Sequence, residues 1–192
     1  MKTPARRARG QILGVLRGDG WLSGARRVDS PNQDERPPGV HVDLVVIHAI
    51  SLPPDQFGGP YVEQLFTNRL DAAAHPYFAT IAHLRVSAHF LIRRDGTLLQ
   101  FVSTRARAWH AGASNWQGRE RCNDFSIGIE LEGCDTLPFE TAQYRRLAAV
   151  LRRIGRRHPG VALAGHSDIA PGRKTDPGPH FDWPRLKRLL HD

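Results

Sequence analysis

The segment Val42-Asp43-Leu44-Val45-Val46-Ile47 is almost continuously apolar and rich in β-branched residues, and His48 follows it directly. A short apolar run of this kind is typical of a strand that is buried on both faces of a sheet. We therefore expect a buried strand over residues 42–47 that delivers His48 at its end.

Strand-like and helix-like segments alternate along the rest of the chain, with no internal repeat and no low-complexity linker between them. Asp95-Gly96 separates two strand-like segments and predicts an antiparallel hairpin, because glycine tolerates the positive φ of such a turn. The alternation favours one α/β (α+β) domain. The predicted helices are 60–70, 141–157 and 183–190, the last with Asp182 as its cap, and the predicted strands are 89–93, 97–102, 125–131 and 161–164.

In the segment 125–131, large apolar residues alternate with small or polar ones. Side chains of a strand alternate between its two faces. Glu130 is therefore expected on one face, beside Gly128. The residues expected on the opposite face are Phe125, Ile127, Ile129 and Leu131.

Composition is that of an ordinary globular domain: 192 residues, 40% hydrophobic and 24% charged. The formal net charge of +8 predicts attraction to anions but does not say which ones. We predict that residues 1–19 form a basic, partly flexible extension of a domain at 20–192. The basic residues of that arm are Lys2, Arg6, Arg7 and Arg9. A second cluster suits the C-terminus of the helix at 141–157 better than a nucleic-acid patch: Arg152, Arg153, Arg156 and Arg157.

The stretch from Gln11 to Leu16 is too short and too interrupted for a signal-peptide core, and no apolar run approaches membrane-spanning length. We therefore expect a cytoplasmic protein. Cys122 and Cys134 are the only cysteines and form no CxxC motif, so we expect two reduced thiols rather than a disulfide scaffold or a thiolate zinc site.

The segment from Gly165 to Pro179 combines His166, Lys174 and Asp176 with several prolines and glycines, which stiffen a loop and allow tight turns. Together with His48, this loop offers two imidazoles and one carboxylate, the protein ligands of a catalytic Zn²⁺ site with one open position. Zinc in such a site lowers the pKa of a bound water to roughly 7 and polarises a carbonyl group, which is hydrolytic chemistry. Asp168 is an alternative ligand, although its spacing of two residues from His166 favours a capping or supporting role.

Each remaining histidine, taken singly, is more often structural or solvent-exposed than a metal ligand. His110 lies in Trp109-His110-Ala111-Gly112 and stays open between lining a pocket and filling the core. The structural or surface interpretation applies to His41, His75, His83, His89, His158, His180 and His191.

The chain resembles the cytoplasmic N-acetylmuramyl-L-alanine amidases of the AmpD type, which act on anhydromuropeptides and belong to the amidase_2 and peptidoglycan-recognition-protein superfamily. The matching motifs are specific in combination and leave out only the first ten or so residues and the last few. Besides the loop from Gly165 to Pro179, they are Gly20-Trp21-Leu22, Gly24-Ala25-Arg26-Arg27, Val46-Ile47-His48, Ser51-Leu52-Pro53-Pro54, Phe57-Gly58-Gly59-Pro60, the segments 83–89, 92–96 and 108–112, and the segment 117–133.

The resemblance implies a mixed β-sheet flanked by helices, with zinc held by His48, His166 and Asp176 in a groove at one edge. It also implies hydrolysis of the amide between the lactyl group of 1,6-anhydro-N-acetylmuramic acid and L-alanine of the stem peptide. This reaction is a step of peptidoglycan recycling, through which such an enzyme influences β-lactamase induction.

The resemblance further matches Glu130 and Lys174 to catalytic residues. Glu130 would take a proton from water and pass it to the leaving amine, while Lys174 would stabilise the oxyanion of the tetrahedral intermediate. The alternatives are that Glu130 pairs with an arginine and that Lys174 is a solvated loop charge. Glu132 lies on the same face as Glu130 and competes with it, but its place near the strand end favours solvation.

Arg85, Arg121 and Arg173 match family arginines that line the substrate groove, and guanidinium groups suit the free carboxylates of stem peptides. Surface solvation is the alternative for each. Ala49 follows His48 where the family has asparagine, which leaves one hydrogen bond to substrate or ligand open.

Three functions remain in competition. The first is the cytoplasmic zinc amidase, with an anhydromuropeptide as substrate and with no nucleic acid, membrane or obligatory protein partner expected. The second is an exported or phage-type amidase that acts on intact wall; the lack of a signal, and Asp176 where phage relatives use cysteine, argue against it. The third is a peptidoglycan-binding module without catalysis, which would not need an open zinc site.

Overall fold

The computed structural model describes residues 12–191, and a six-stranded mixed sheet lies at its centre in the order β1-β5-β4-β9-β3-β10. Two further two-stranded sheets are β2-β6 and β7-β8. The strands are β1 (Arg26–Arg27), β2 (Gln33–Asp34), β3 (Leu44–Ile50), β4 (Phe90–Ile92), β5 (Leu98–Gln100), β6 (Arg107–Ala108), β7 (Asn115–Trp116), β8 (Arg119–Glu120), β9 (Ser126–Glu132) and β10 (Ala162–Gly165). The helices are α1 (Tyr61–Phe66), α2 (Pro76–Ile81), α3 (Thr141–Arg157), α4 (His166–Ile169) and α5 (Trp183–His191), with a 3-10 turn at Cys122–Asp124.

The most buried part of the sheet is parallel: β9, β3 and β10 run side by side in the same direction, and β4 pairs with β9 in parallel as well. β5 is antiparallel to β4, and β1 is parallel to β5. The sequence-based prediction of one α/β domain with a mixed sheet flanked by helices is confirmed.

Helices α3 and α5 cover one face of the sheet. Their apolar residues pack against every second residue of β3 and β9, among them Val45, Ile47 and Ile129. α3 has the predicted bounds, and its N-terminus is closed by a capping box between Glu140 and Gln143.

The opposite face carries two separate apolar clusters rather than one. The first joins β4 and β5 to α1 and α2, and the second joins β3 and β10 to the 3-10 turn and α4. Val46 belongs to the second cluster, and His48, two residues further on, faces the same side of the sheet. Polar residues of β3 and β9 therefore occupy the space between the two clusters.

Several predicted elements have different limits in the structure. β3 continues to Ile50, so His48 lies within the strand and not at its end. The helix predicted at 60–70 ends at Phe66, because Asn68 adopts a left-handed conformation with φ of 58°. β9 begins at Ser126, and Phe125 packs in the cluster beside β3 and β10 instead of sharing the face of Ile127.

The Asp95-Gly96 hairpin is confirmed: β4 and β5 are antiparallel, and Gly96 has φ of 82°. Asp182 caps α5 as predicted, since its Oδ1 accepts a hydrogen bond from the backbone N–H of Arg185 at 2.8 Å. The loop predicted after β10 starts with one helical turn, α4. The side chain of Asp168 closes this turn by accepting a hydrogen bond from Gly165 N at 2.7 Å, which is the capping role expected for it.

The segment 12–19 contacts the rest of the chain at individual positions, while most of its residues are exposed. Leu13 contributes to the apolar core under α3, and Leu16 forms an isolated antiparallel bridge with Leu22. Arg153 donates hydrogen bonds to the carbonyl groups of Leu13 and Gly14. The basic residues of the predicted arm, Lys2 to Arg9, lie outside the described residues. Within residues 12–191, no helix combines the length and the apolar character needed to cross a membrane.

Candidate active site

Three side chains converge at the edge of the sheet. His48 comes from β3, His166 from the first residue of α4, and Asp176 from the loop that follows α4. The two Nδ1 atoms lie 3.0 Å apart, and Asp176 Oδ2 lies 3.1 Å from each of them. The three atoms therefore form a nearly equilateral triangle. Among the described residues this is the group of His, Cys, Asp or Glu side chains that is arranged to hold a metal ion.

His166 presents a lone pair to this triangle. Its other ring nitrogen, Nε2, lies 3.2 Å from the carbonyl oxygen of Ala111. Because a carbonyl oxygen can only accept, Nε2 carries a proton and donates it to Ala111, which leaves Nδ1 as the atom through which this ring can bind a metal. The same contact orients the ring, and partners of this kind are typical of histidines that bind metals.

The charges at the site follow from its burial. Burial lowers the pKa of His48 to about 4, which the neighbouring Asp176 opposes only in part, so the ring is neutral at neutral pH. The site thus places the neutral ring of His48 beside the carboxyl group of Asp176.

The donor set and the spacing fit a zinc ion. Ligand atoms that surround a tetrahedral Zn²⁺ at about 2.0–2.1 Å lie about 3.3 Å apart, close to the sides of the triangle. A carboxylate and an imidazole lone pair directed at one point repel each other unless a cation lies between them. Two imidazoles and one carboxylate leave one coordination position of a tetrahedral ion open.

Glu130 lies next to this cluster without a protein partner. It is the register neighbour of His48 across the parallel pair β3–β9, so both side chains face the same side of the sheet. Glu130 is 8% exposed, and its Oε2 has no hydrogen-bond partner. Burial, and then the charge of Asp176, raise the pKa of Glu130 well above the usual value for a glutamate. The prediction that Glu130 points away from the apolar face of β9 is confirmed.

A cavity of about 300 Å³ opens onto the cluster. Its polar end contains the three residues of the triangle together with Glu130, His110 and Lys174. Its other walls come largely from α1, α2 and the segment after α2, and include Leu65, Phe66, Tyr77, Ile81, Leu84 and Val86. The cavity therefore has one polar end, which contains the possible metal ligands, and a largely apolar wall.

His110, left open by the sequence, lines this cavity. It is half-buried, and its Nδ1 lies 2.9 Å from Nε2 of His48. In the sequence, the adjacent pair Trp109-His110 was the feature that could indicate a pocket, and both residues line the cavity. Ala49, the departure from the family pattern, is half-buried and lines the same cavity.

Glu132 is buried rather than solvated, so the sequence-based interpretation of this residue was wrong. It is 4% exposed and forms an ion pair with Arg93 at 3.3 Å. Its carboxylate also accepts hydrogen bonds from the backbone N–H groups of Gly58 at 2.7 Å and Arg94 at 3.1 Å. The two glutamates of β9 thus differ: Glu132 is satisfied by three donors and Glu130 by none that the structure shows.

Replacement of Glu132 by glutamine is expected to destabilise the fold by about 2–3 kcal/mol, because its amide would place donors opposite donors and leave part of a buried ion pair unmatched. Arg93 retains Glu63 at 2.7 Å, which limits the loss. For a domain of this size the melting temperature falls by roughly 4–12 °C. Thermal unfolding measures the effect, and an unchanged melting temperature would contradict this account of Glu132.

The three arginines assigned to substrate binding are not among the residues that line the cavity. Arg85 is exposed and directs Nη1 at backbone carbonyls of its own segment, and Arg121 is 70% exposed and pairs with Asp124. Arg173 donates from Nη2 to the carbonyl groups of Ala111 and Ala113, at 2.8 and 2.6 Å. Their role toward a substrate stays a prediction, and Arg173 has a structural contact of its own.

Comparisons with known proteins show which family the chain is similar to. The family model described as N-acetylmuramoyl-L-alanine amidase (Amidase_2) matches residues 37–179. The 1,6-anhydro-N-acetylmuramyl-L-alanine amidase AmpD of Salmonella typhimurium is 60% identical over 178 residues, which cover 92% of this chain and 95% of the relative.

Solved structures show the same fold. A crystal structure of a selenomethionine derivative of AmpD matches with a TM-score of 0.88 and 60% identity, covering 90% of this chain and 97% of that chain. The amidase AmiD of Escherichia coli, in complex with its substrate anhydro-N-acetylmuramic acid-L-Ala-D-γ-Glu-L-Lys, is more distant. Its TM-score is 0.56 at 29% identity, and the match covers 92% of this chain and 65% of that chain.

Proposed function

The chain belongs to the N-acetylmuramoyl-L-alanine amidase family, and we propose from this that its hydrolysis of the anhydro-N-acetylmuramyl-L-alanine amide depends on zinc held by His48, His166 and Asp176. The activity is that of its relatives at 60% identity: cleavage of the bond between 1,6-anhydro-N-acetylmuramic acid and the L-alanine of the stem peptide. The observation that carries the proposal is the convergence of three ligand atoms within 3.1 Å beside a buried, unpartnered glutamate.

When bound, zinc supplies acidification of a water molecule and polarisation of the scissile carbonyl. The protein's part in holding it is supported by the donor set and by the direction of the lone pairs. Asp176 contributes the negative charge, and the fixed ring of His166 keeps Nδ1 pointed at the site. The backbone carbonyl of Asp176 accepts a hydrogen bond from Ser167 N at 2.9 Å, which ties the second half of the loop to α4.

Glu130 is the proposed general base and acid. Its free Oε2 accepts a proton from the attacking water as the water oxygen bonds to the amide carbon. The same oxygen then gives this proton to the amine nitrogen as the C–N bond breaks, so that the carboxylate ends in its starting state. A raised pKa suits both halves of this cycle, because a general acid–base catalyst works best when its pKa is near the operating pH.

Lys174 is the proposed group that stabilises the oxyanion. It lines the cavity two residues before Asp176, and its backbone N–H is held by the carbonyl of Ala170 at 3.1 Å. An ammonium group directed at the carbonyl oxygen lowers the energy of the tetrahedral intermediate more than that of the planar amide.

An anhydromuropeptide suits the shape of the cavity. The apolar wall made by α1 and α2 offers a surface for the sugar ring, and the polar end holds the amide. The arginines Arg85, Arg121 and Arg173 are proposed to meet the carboxylates of the stem peptide outside the cavity. We place this reaction in the cytoplasm, as a step of peptidoglycan recycling that feeds back on β-lactamase induction.

Product analysis tests the substrate. Purified enzyme is incubated with anhydro-N-acetylmuramyl tripeptide or with intact sacculi, and products are identified by mass spectrometry. We expect release of free tripeptide and anhydro-N-acetylmuramic acid from the first, with far slower release from the second. Comparable rates on both would favour the wall-degrading alternative, and binding without any release would favour a non-catalytic module.

A further inference from the structure

A chain of hydrogen bonds leads away from the metal cluster and ends at a backbone carbonyl. Ser126 Oγ lies 2.6 Å from the carbonyl oxygen of Cys122 and 3.2 Å from Nε2 of His110. The carbonyl can only accept, so it takes the single hydroxyl proton of Ser126. The serine oxygen is therefore left as an acceptor toward His110.

The next link follows from the first. The ring of His110 packs against the rings of His48 and His89, at centroid distances of 5.0 and 5.9 Å, and burial together with these neighbours lowers its pKa well below the usual value for a histidine. A ring in such surroundings is neutral and carries one proton. Since Ser126 must accept, this proton is on Nε2 of His110, and Nδ1 of the same ring is an acceptor.

The last link reaches the ligand. Nδ1 of His110 lies 2.9 Å from Nε2 of His48, so His48 must carry its proton on Nε2 and donate it. The remaining nitrogen of His48, Nδ1, is then a lone pair that faces His166 and Asp176. From Cys122 to His48, each proton position is determined by the one before it.

We propose that His110 is a positioning residue for the metal site: together with Ser126 and the Cys122 carbonyl, it holds His48 in the tautomer that binds metal through Nδ1. The inference rests on the proposed metal-binding function of His48. His166 reaches the same state in one step, through the carbonyl of Ala111. The two histidine ligands are thus prepared by different parts of the fold.

The fold holds His110 in place from several sides. A Cβ atom at Gly128 would lie 2.5 Å from the His110 ring, so strand β9 accommodates the ring only with glycine at that position. The side-chain oxygen of Asn123 accepts hydrogen bonds from the backbone N–H groups of His110 and Ala111, at 3.1 and 2.8 Å. The ring therefore has little freedom to turn away from His48.

Two substitutions separate this role from packing. His110→Leu fills a similar volume with an apolar side chain and removes the acceptor Nδ1. His110→Asn instead places an amide oxygen near the position of Nδ1. We expect His110→Leu to weaken zinc binding by about 10–100-fold, the usual loss when a group that orients a ligand is removed. We expect His110→Asn to recover most of that loss.

Zinc affinity is measured by competition with a chromophoric chelator, and the tautomer of His48 by long-range ¹H–¹⁵N spectra of the metal-free protein. In the wild type, His48 is expected to show a protonated Nε2 and an unprotonated Nδ1. In folded His110→Leu we expect a mixture of both tautomers. Wild-type zinc affinity together with unchanged His48 signals in this variant would overturn the proposal.

Two further results keep the outcomes distinct. If His110→Leu does not fold, Ser126→Ala is the test, because it removes the first side chain in the series of hydrogen bonds. This variant should weaken zinc binding by a smaller factor than His110→Leu. An unchanged zinc affinity would count against the proposed series of hydrogen bonds. If the wild type binds no zinc, the proposed metal-dependent function fails. The tautomer spectrum of metal-free protein still decides whether His110 fixes the proton of His48.

Discussion

The Asp176→Ala variant is expected to lose zinc binding by more than about 100-fold and amidase activity with it. Removal of a group that merely orients a ligand costs about 10–100-fold, and Asp176 is itself a proposed ligand and the one carboxylate of the triangle. Without it, two neutral rings remain. Their lone pairs compete poorly for a divalent cation when no negative charge is present. Metal content after gel filtration and release of tripeptide measure the two losses.

Asp168→Ala is the matched control. Asp168 lies in the same segment and is an aspartate as well, but it is exposed and its contact is the cap of α4 through Gly165 N. We expect a loss of about 1 kcal/mol in stability from the missing cap, with zinc content unchanged. Stoichiometric zinc with full activity in Asp176→Ala, or loss of zinc in Asp168→Ala alone, would refute the assignment of the ligand.

The second large effect is expected for Glu130→Gln. Glutamine has the shape of glutamate but cannot take up and return a proton, so kcat should fall by about 10²–10⁴-fold. This loss corresponds to about 3–5 kcal/mol of transition-state stabilisation. Zinc content should stay at the wild-type level, because the carboxylate of Glu130 is not part of the triangle. A variant that keeps its zinc and most of its kcat would exclude Glu130 as the proton carrier.

Stability offers an independent check on Glu130. The folded protein holds this carboxyl in a buried position with Oε2 unpartnered, which costs free energy whenever the group is ionised. A neutral amide reduces that cost, so the metal-free variant should melt at or above the wild-type temperature. Glu132→Gln, two residues along the same strand, is expected to melt lower because its carboxylate has three donors. Comparison of the melting temperatures of Glu130→Gln and Glu132→Gln therefore distinguishes a glutamate that serves catalysis from one that stabilises the fold.

The elements that were predicted well are those with local signals. Helix α3 has the bounds that its apolar spacing indicates, and β3 and β9 follow from apolar runs of a few residues. The placement of His48 and Glu130 on one side of the sheet follows from alternation along their strands once the pairing is known. The resemblance to a known family then indicated a chemical role for residues whose roles could not be inferred from their spacing alone.

Where the structure differs from the sequence-based predictions, the cause is a distant partner or a backbone conformation that the apolar pattern does not reveal. Glu132 looked solvated because it ends a strand, yet its donors come from residues 39 and 74 positions away in the chain. Asn68 ends α1 through a backbone conformation that the apolar pattern does not encode. His110 stayed open because its role depends on a serine, a carbonyl and the missing side chain of Gly128, none of which marks a site by itself.

The order of strands in the sheet has a consequence for folding. His48 and His166 are 118 positions apart, and they meet only when β10 has paired with β3, after α3 has crossed over the sheet. Contacts between such distant segments form late and slowly, because long loops must close first. In the proposed holoenzyme, zinc therefore binds only molecules whose topology is complete, and metal uptake during refolding should lag behind the recovery of helical signal. Because the ion would bind and stabilise only the completed sheet, its binding should slow unfolding far more than it speeds folding.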